Sequence, residues 1–139
     1  MKKLIILLVF AFLQIGCNND NDSKPLDTNI VGTWQLVHVY SSDGGSNSGW
    51  NRVKNGYTYT FKDDGSFTST RFKECTSGTY KLEASLLTLT FGCPNFGTKM
   101  TPNGTFIENY NIEDGKMILS PTYLSCIEGC GYRFMKIKN

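Results

Sequence analysis

The sequence of 139 residues contains a single histidine, His38, and nearly equal numbers of positive and negative side chains. One imidazole cannot supply the ligand set of a zinc site, so we predict no metal centre, and nothing in the sequence indicates a cofactor. The formal charge of +2 comes from 14 basic and 12 acidic residues. Two of the basic residues, Lys2 and Lys3, lie in a segment that we expect to be removed, which leaves twelve of each sign. A neutral chain lacks the basic face that nucleic-acid binding requires, so no nucleic-acid partner is expected.

Long hydrophobic runs are also missing. The longest, Leu4–Ile15, has twelve residues and Gln14 as its only polar member, whereas a membrane-spanning helix needs about 20. The run follows the cationic start Met1-Lys2-Lys3, which is the pattern of a secretory signal peptide. We therefore predict that residues 1–16 are a signal peptide and that the mature protein is exported.

The end of this run, Gln14-Ile15-Gly16-Cys17, resembles the processing site of bacterial lipoproteins. The resemblance implies that Cys17 becomes an acylated N-terminus, and several acyl chains make membrane attachment effectively permanent. Residues 17–29 would then be the lipidated cysteine and a polar tether. The run Asn18–Asp22 resembles the export signal of surface lipoproteins from Bacteroidetes-type bacteria, which implies attachment to the outer membrane, on its periplasmic side or at the cell surface. The alternative is an ordinary secreted protein with an unpaired cysteine.

Helical periodicity is absent from the mature chain, and alternation of apolar and polar residues dominates instead. This pattern predicts one all-β domain over residues 30–138, an eight-stranded antiparallel up-and-down barrel with no packed helix. The predicted strands are Ile30–Tyr40, Tyr57–Phe61, Phe67–Phe72, Thr79–Glu83, Leu86–Phe91, Thr105–Ile112, Lys116–Ser120 and Tyr132–Lys138.

Short and long connections alternate along the predicted barrel. The short ones are Asp63–Gly65, Glu83–Ser85 and Asp114–Gly115. Because alternate connections of a meander lie at the same end, these turns should gather at one end of the barrel and the long loops at the other. Trp34, near the start of the first strand, is expected at the tight-turn end. The polar segment Ser41–Asn55, which contains Trp50, is expected as a long loop at the opposite end.

Four cysteines remain after Cys17, and an even number in an exported chain favours disulfides. Cys75 and Cys93 each lie nine residues from Ala84, the centre of a predicted hairpin turn, so they should face each other. Cys126 and Cys130 can close a five-residue loop. A zinc site built from all four thiolates is the alternative, but the spacing contains no CxxC pair.

The order of three short motifs resembles the lipocalins, and more closely the small lipocalin-like lipoproteins of Bacteroidetes-type bacteria. The matching pieces are Val31–Leu36, with its Gly32-x-Trp34 core, Tyr59–Phe67 and Gly78–Leu82. The resemblance implies that Gly32 and Trp34 close one end of the barrel and that an arginine near the last strand, here Arg133, lies across the indole. A guanidinium over an indole face contributes about 0.5–2 kcal/mol.

Alternation along the first strand places His38 and Tyr40 on the inward face together with Trp34. We therefore predict a ligand-binding set made of His38, Tyr40, Trp50, Tyr57 and Tyr59. The alternative for His38 is a buried histidine hydrogen-bonded to a tyrosine, and for the aromatic rings it is simple filling of the core. Trp50 is interpreted either as a lid or partner contact or as a ring folded back onto the barrel. No nucleophile or carboxylate is placed beside His38, so we do not predict an enzyme.

Two hypotheses about function follow from these residues. In the first, a membrane-anchored monomeric barrel binds a small, mostly apolar molecule at its loop end. In the second, the barrel core is solid and the loops form a protein-interaction or inhibitor module. An enclosed cavity of several hundred cubic ångströms is typical of the first, and an exposed apolar loop patch of the second.

Overall fold

The computed structural model describes residues 29–42, 48–126 and 129–138. Within these residues the chain forms nine antiparallel strands and no helix. Cys17, the predicted signal peptide and the tether up to residue 28 lie outside the described part. The strands are β1 (Gly32–Ser41), β2 (Gly49–Arg52), β3 (Thr58–Phe61), β4 (Ser66–Ser69), β5 (Ser77–Glu83), β6 (Leu86–Phe91), β7 (Thr105–Glu113), β8 (Lys116–Pro121) and β9 (Gly131–Lys138).

The nine strands form a barrel with eight strand positions, because two short strands share one position. Each strand from β3 to β8 pairs with the next, and β9 pairs back with β1 to close the sheet. Both β2 and β3 pair with the same edge of β1, β2 along its C-terminal half and β3 along its N-terminal half. They therefore act as one barrel strand interrupted by residues 53–57. The prediction of an all-β, eight-stranded antiparallel barrel is confirmed.

One predicted boundary, that of the long loop after the first strand, was wrong. The segment Ser41–Asn55 was expected to be a loop, but β1 extends to Ser41 and Gly49–Arg52 forms β2. Short strands in Gly/Ser/Asn-rich sequence carry little alternation, and their pairing with an existing edge is a tertiary effect. Trp50 is therefore held in a strand opposite Tyr40 and not in a loop.

The tight turns have the predicted registers. Phe61 pairs with Phe67 around the turn that contains Gly65, whose φ of 80° is one that glycine adopts without steric cost. Tyr110 pairs with Leu119 around Asp114-Gly115, and both turn residues have positive φ, as a two-residue hairpin of this type requires.

A β-bulge in β1 reverses the predicted orientation of its second half. Leu36 pairs with Phe134, but the next paired residue is His38, opposite Arg133. One extra residue, Val37, is thus inserted in β1 and the inward–outward alternation shifts by one position. Phe134 is fully buried, so the adjacent residue of β9, Arg133, faces outward. His38 pairs with Arg133 and therefore faces outward too.

The same shift turns Tyr40 outward, opposite Gly131 of β9. The prediction that His38 and Tyr40 share the inward face of Trp34 is therefore wrong. The bulge depends on how β1 pairs with β2 and β9. The alternation of apolar and polar residues along β1 does not reveal it.

Trp34 lies at the tight-turn end with only 1% of its surface exposed. Its indole Nε1 donates a hydrogen bond to the Ile30 carbonyl at 2.7 Å. The cation nearest its ring is Lys136, whose Nζ is 5.3 Å from the ring centroid. The expectation that Arg133 lies across this indole is corrected, because Arg133 faces outward in β9 and Lys136, three residues later, reaches the indole instead.

The barrel interior above Trp34 is filled by contacting rings. Tyr59 packs against Phe61, Phe67 and Phe134 with centroids 5.6–5.9 Å apart. Aliphatic side chains from β6 and β8 complete this layer and are almost completely buried. Because apolar side chains fill the tight-turn end, the polar groups of the interior lie toward the loop end.

Both predicted disulfides are present in the structure. Cys75 is bonded to Cys93 and Cys126 to Cys130. Both bridges lie in the long connections, the first across β5 and β6 and the second within the connection from β8 to β9. No group of three metal-ligating side chains occurs in the part of the chain that the structure describes.

Candidate functional site

The predicted ligand-binding residues do not converge on one site. Tyr57 and Tyr59 face the barrel interior and their rings contact edge to face at 5.5 Å. His38 and Tyr40 lie on the outside because of the bulge in β1, and Trp50 of β2 packs against Tyr40 on the same side. The five residues are therefore divided between the two faces of the sheet.

Trp50 packs on the outer surface of the barrel. Its ring meets Tyr40 edge to face at 5.5 Å, and the guanidinium carbon of Arg133 lies 4.0 Å from its centroid. A Cβ on Gly131 would come within 3.2 Å of the indole, so this glycine gives the ring room. Of the two interpretations of Trp50, the structure has the ring folded back onto the barrel.

The interior tyrosines belong to a charged cluster that alternation had not singled out. Its centre is Arg71, two residues after the end of β4. Arg71 Nη1 donates to the Tyr59 hydroxyl at 3.1 Å, and Nη2 donates to the Tyr123 hydroxyl at 3.3 Å. The guanidinium carbon also lies 4.8–5.9 Å from the centroids of four rings, a geometry that stabilises a cation in an aromatic environment. These rings are Tyr57, Phe72, Phe106 and Tyr132.

Glu108 of β7 is the acidic member of the cluster, and 1% of its surface is exposed. Its Oε1 accepts a hydrogen bond from the Tyr123 hydroxyl at 2.7 Å and lies 4.0 Å from Arg71 Nη1. Tyr123 thus relays a hydrogen bond between the guanidinium and the carboxylate. The second oxygen, Oε2, is buried and has no partner among the described residues, and such an atom costs free energy unless another group pairs with it.

Burial changes the acid–base properties of the cluster. It raises the pKa of Glu108 from 4.5 to about 7, and the nearby Tyr123 hydroxyl and Arg71 only partly oppose this. Burial likewise raises the pKa of Tyr59 to about 12 and the pKa values of Tyr57, Tyr123 and Tyr132. At neutral pH the tyrosines are therefore uncharged donors around a permanent cation.

The cluster lies toward the loop end of the barrel. Arg71 is in the connection that leads to Cys75, and Tyr123 is in the connection that leads to Cys126. The rings of Phe72, Phe91 and Phe96 pack beside it with centroids 5.0–5.2 Å apart. A charged group and several hydroxyls are thus set among apolar rings near the barrel mouth.

A simple signal in the sequence could have revealed this cluster. Arg71 follows Phe67 and Ser69 at every second position, and Phe67 and Ser69 are both buried. Glu108 likewise follows the buried Phe106 by two residues. A charged residue at an inward position of a β-strand is uncommon, because burying a charge without partners is costly. That their two positions meet depends on the closure of the barrel.

The arrangement is suited to binding. The guanidinium and the Tyr59 hydroxyl can donate hydrogen bonds, the unpaired Oε2 of Glu108 can accept one, and the surrounding rings offer apolar contact. Binding pockets for small molecules combine apolar walls with a few polar groups in the same way. Fold and site together define a closed antiparallel β-barrel with a buried polar cluster near its loop end.

Comparison with known families agrees with the fold. The lipocalin-like domain family matches residues 30–119, most of the described barrel, and the chain belongs to this family. Comparison with curated protein sequences finds no match.

Two crystal structures from Bacteroides species share the fold. An uncharacterized protein from Bacteroides eggerthii DSM 20697 is 22% identical with a TM-score of 0.55, over 78% of this chain and 100% of that one. A lipocalin-like protein from Bacteroides uniformis ATCC 8492 is 18% identical with a TM-score of 0.53, over 77% of this chain and 97% of that one. At this level of identity the similarity shows the fold alone.

Proposed function

We propose that the protein is a lipid-anchored outer-membrane lipoprotein, on the periplasmic side or at the cell surface, whose barrel binds a small, mostly apolar molecule at the loop end. The observation that carries this proposal is the unpaired Oε2 of Glu108 beside Arg71, inside an aromatic barrel. A ligand with one polar group among apolar atoms would pair with this cluster and contact the surrounding rings. Membership of the lipocalin-like family supports binding of a small molecule in the barrel.

The polar end of the ligand lies at the Arg71 cluster. Tyr59, Phe61 and Phe67 fill the tight-turn end, where the rings contact one another. The ligand therefore enters from the loop end, and its polar group meets the N–H groups of Arg71, since the Tyr123 hydroxyl already donates its proton to Glu108. The apolar part contacts rings such as Phe72 and Phe96, which lie at the same level.

Native mass spectrometry of protein purified from its own envelope tests this function. We expect a copurifying small molecule with the native chain and at least a tenfold lower occupancy with Arg71→Gln. The matched control is Arg133→Gln, which removes one arginine from the outside of the barrel and should keep the occupancy within about twofold. A bare native mass, or equal occupancy in the two variants, would contradict binding at the Arg71 cluster.

A second candidate function, a protein-interaction or inhibitor module, is favoured by one surface feature. Met100 and Ile107 are 51% and 41% exposed and line a groove of about 260 Å3 at the loop end. Exposed apolar side chains around a groove are typical of an interaction surface. A bare mass in the experiment above would favour this second function.

Membrane attachment through Cys17 is tested separately. We expect Cys17→Ser to move the protein from the membrane fraction to the soluble fraction, because the acyl chains are the proposed anchor. Cys126→Ser is a control that removes a different cysteine and should leave the protein with the membranes. A Cys17→Ser protein that still sediments with membranes would refute the lipoprotein interpretation.

A further inference from the structure

A second concave site lies on the outside of the barrel, next to the bulge in β1. It is a groove of about 540 Å3, which we call the bulge groove. The groove lies on the opposite face of the sheet from the Arg71 cluster, so the two sites are separate. Its lining comes from β1, from the end of β2 and the segment after it, and from β9. It consists of Gln35, Leu36, Val37, His38, Arg52, Val53, Lys54, Asn55 and Met135.

The backbone determines the shape of the bulge groove. The amide of Val53 donates to the Val37 carbonyl at 2.8 Å, and the amide of Leu36 donates to the Tyr57 carbonyl at 3.0 Å. Between these two bonds the chain makes an excursion of three residues, in which Asn55 has a φ of 53°. A Cβ at Gly56 would lie 2.1 Å from the Leu36 carbonyl oxygen, so only glycine permits this close approach. The shape of the groove is therefore set by backbone hydrogen bonds and by Gly56, at the point where the strand is interrupted.

The charge of the bulge groove is positive. Arg52 and Lys54 line it, both are exposed, and neither forms a salt bridge with a described residue. None of the described residues that line the groove has a carboxylate. Glu113 and Asp114 line a separate small groove with Arg133.

His38 supplies the third polar group. It lines the groove and is the cross-strand neighbour of Arg52. Its Nδ1 is buried and has no hydrogen-bond partner among the described residues. Buried polar atoms in native proteins normally have a partner, so His38 is a polar side chain that the described residues leave unsatisfied.

We propose that the bulge groove binds a phosphate group, carried either by a soluble molecule or by a lipid headgroup. Two permanent cations match the double charge of a phosphate monoester, whereas a single carboxylate needs only one. A guanidinium pairs with two phosphate oxygens at once, and an ammonium acts beside it as a point charge. His38 lines the same groove, and its other ring nitrogen, Nε2, can donate an N–H to the third oxygen.

Inorganic phosphate is the first probe. The protein is the Cys17→Ser full chain, so that the acyl chains do not interfere. In a nuclear magnetic resonance titration we expect phosphate to shift the amide signals of His38, Asn55 and Gly56. Arg52→Ala combined with Lys54→Ala should weaken binding at least tenfold. The control pair Lys73→Ala and Lys99→Ala removes the same charge from exposed positions elsewhere and should change the affinity less than twofold.

Vesicles identify the source of the phosphate. If the same protein cosediments with phosphatidic acid vesicles but not with phosphatidylcholine vesicles, and the Arg52/Lys54 pair of substitutions abolishes this, the phosphate belongs to a lipid headgroup. Phosphate binding without cosedimentation indicates a soluble phosphorylated ligand. The proposal is overturned if neither probe binds, or if the two pairs of substitutions weaken binding equally. The Arg71→Gln experiment does not involve this groove, so the two outcomes are independent.

Discussion

Trp34→Ala is expected to lower the free energy of unfolding by about 3–5 kcal/mol, the range for removing a buried aromatic side chain. The ring is 1% exposed, so its removal leaves a cavity at the tight-turn end where β1 closes against β3 and β9. The Ile30 carbonyl also loses its hydrogen bond from Nε1. Denaturant unfolding followed by circular dichroism measures the change.

Two other substitutions separate the causes of this loss. Trp34→Phe keeps most of the apolar volume but not the donor, and should cost less, about 1–3 kcal/mol. Trp50→Ala removes the other indole, which lies on the outside against Arg133, and should cost about 1–2 kcal/mol. A loss below 1 kcal/mol for Trp34→Ala would mean that the indole does not close the barrel.

Glu108→Gln is expected to abolish a pH effect on stability. In the wild type, the free energy of unfolding should fall by about 3 kcal/mol between pH 4.5 and pH 7 because of Glu108. Burial raises the pKa of Glu108 to about 7 in the folded protein, whereas in the unfolded chain it lies near 4.5. The folded state therefore holds this proton more tightly, and each pH unit in that range costs ~1.4 kcal/mol. The contribution is most favourable below pH 4.5 and is lost as the pH rises through 7.

The glutamine variant is neutral at every pH. Its unfolding free energy should be close to that of the wild type at pH 4.5 and should exceed it at pH 8, where the wild type buries a charged carboxylate with one unpaired oxygen. Glu74→Gln, at an exposed position, serves as the control and should leave the pH profile unchanged. Parallel profiles for wild type and Glu108→Gln would show that Glu108 does not titrate in this range.

Local sequence predicted most of the barrel, because most strands alternate regularly and three tight turns join them in pairs. Gly65 and Gly115 occupy turn positions with positive φ, and turns of this kind set the register of the strands they join. The spacing of Cys75 and Cys93 about one hairpin turn, and the short loop between Cys126 and Cys130, predicted which pairs form.

The candidate site was predictable only in part. Tyr57 and Tyr59 were expected inside the barrel, and they are. Their charged partners are 12 and 49 residues from Tyr59, and they meet it only because the sheet closes on itself. The alternation in the sequence indicated that Arg71 and Glu108 face inward. The distances between Arg71, Tyr123 and Glu108, however, are set by the closing of the sheet into a barrel.

The sequence by itself determined the all-β class, the registers of the tight turns, the position of Trp34 in the core and the pairing of cysteines, since each depends on neighbours within about 20 residues. It also carries the lipoprotein prediction, which concerns residues 1–29. The tertiary structure decided the rest. The bulge at Val37 arises where β1 must pair with both β9 and an interrupted second strand. That single inserted residue moved His38 and Tyr40 to the outer face and left the interior to the Arg71 cluster.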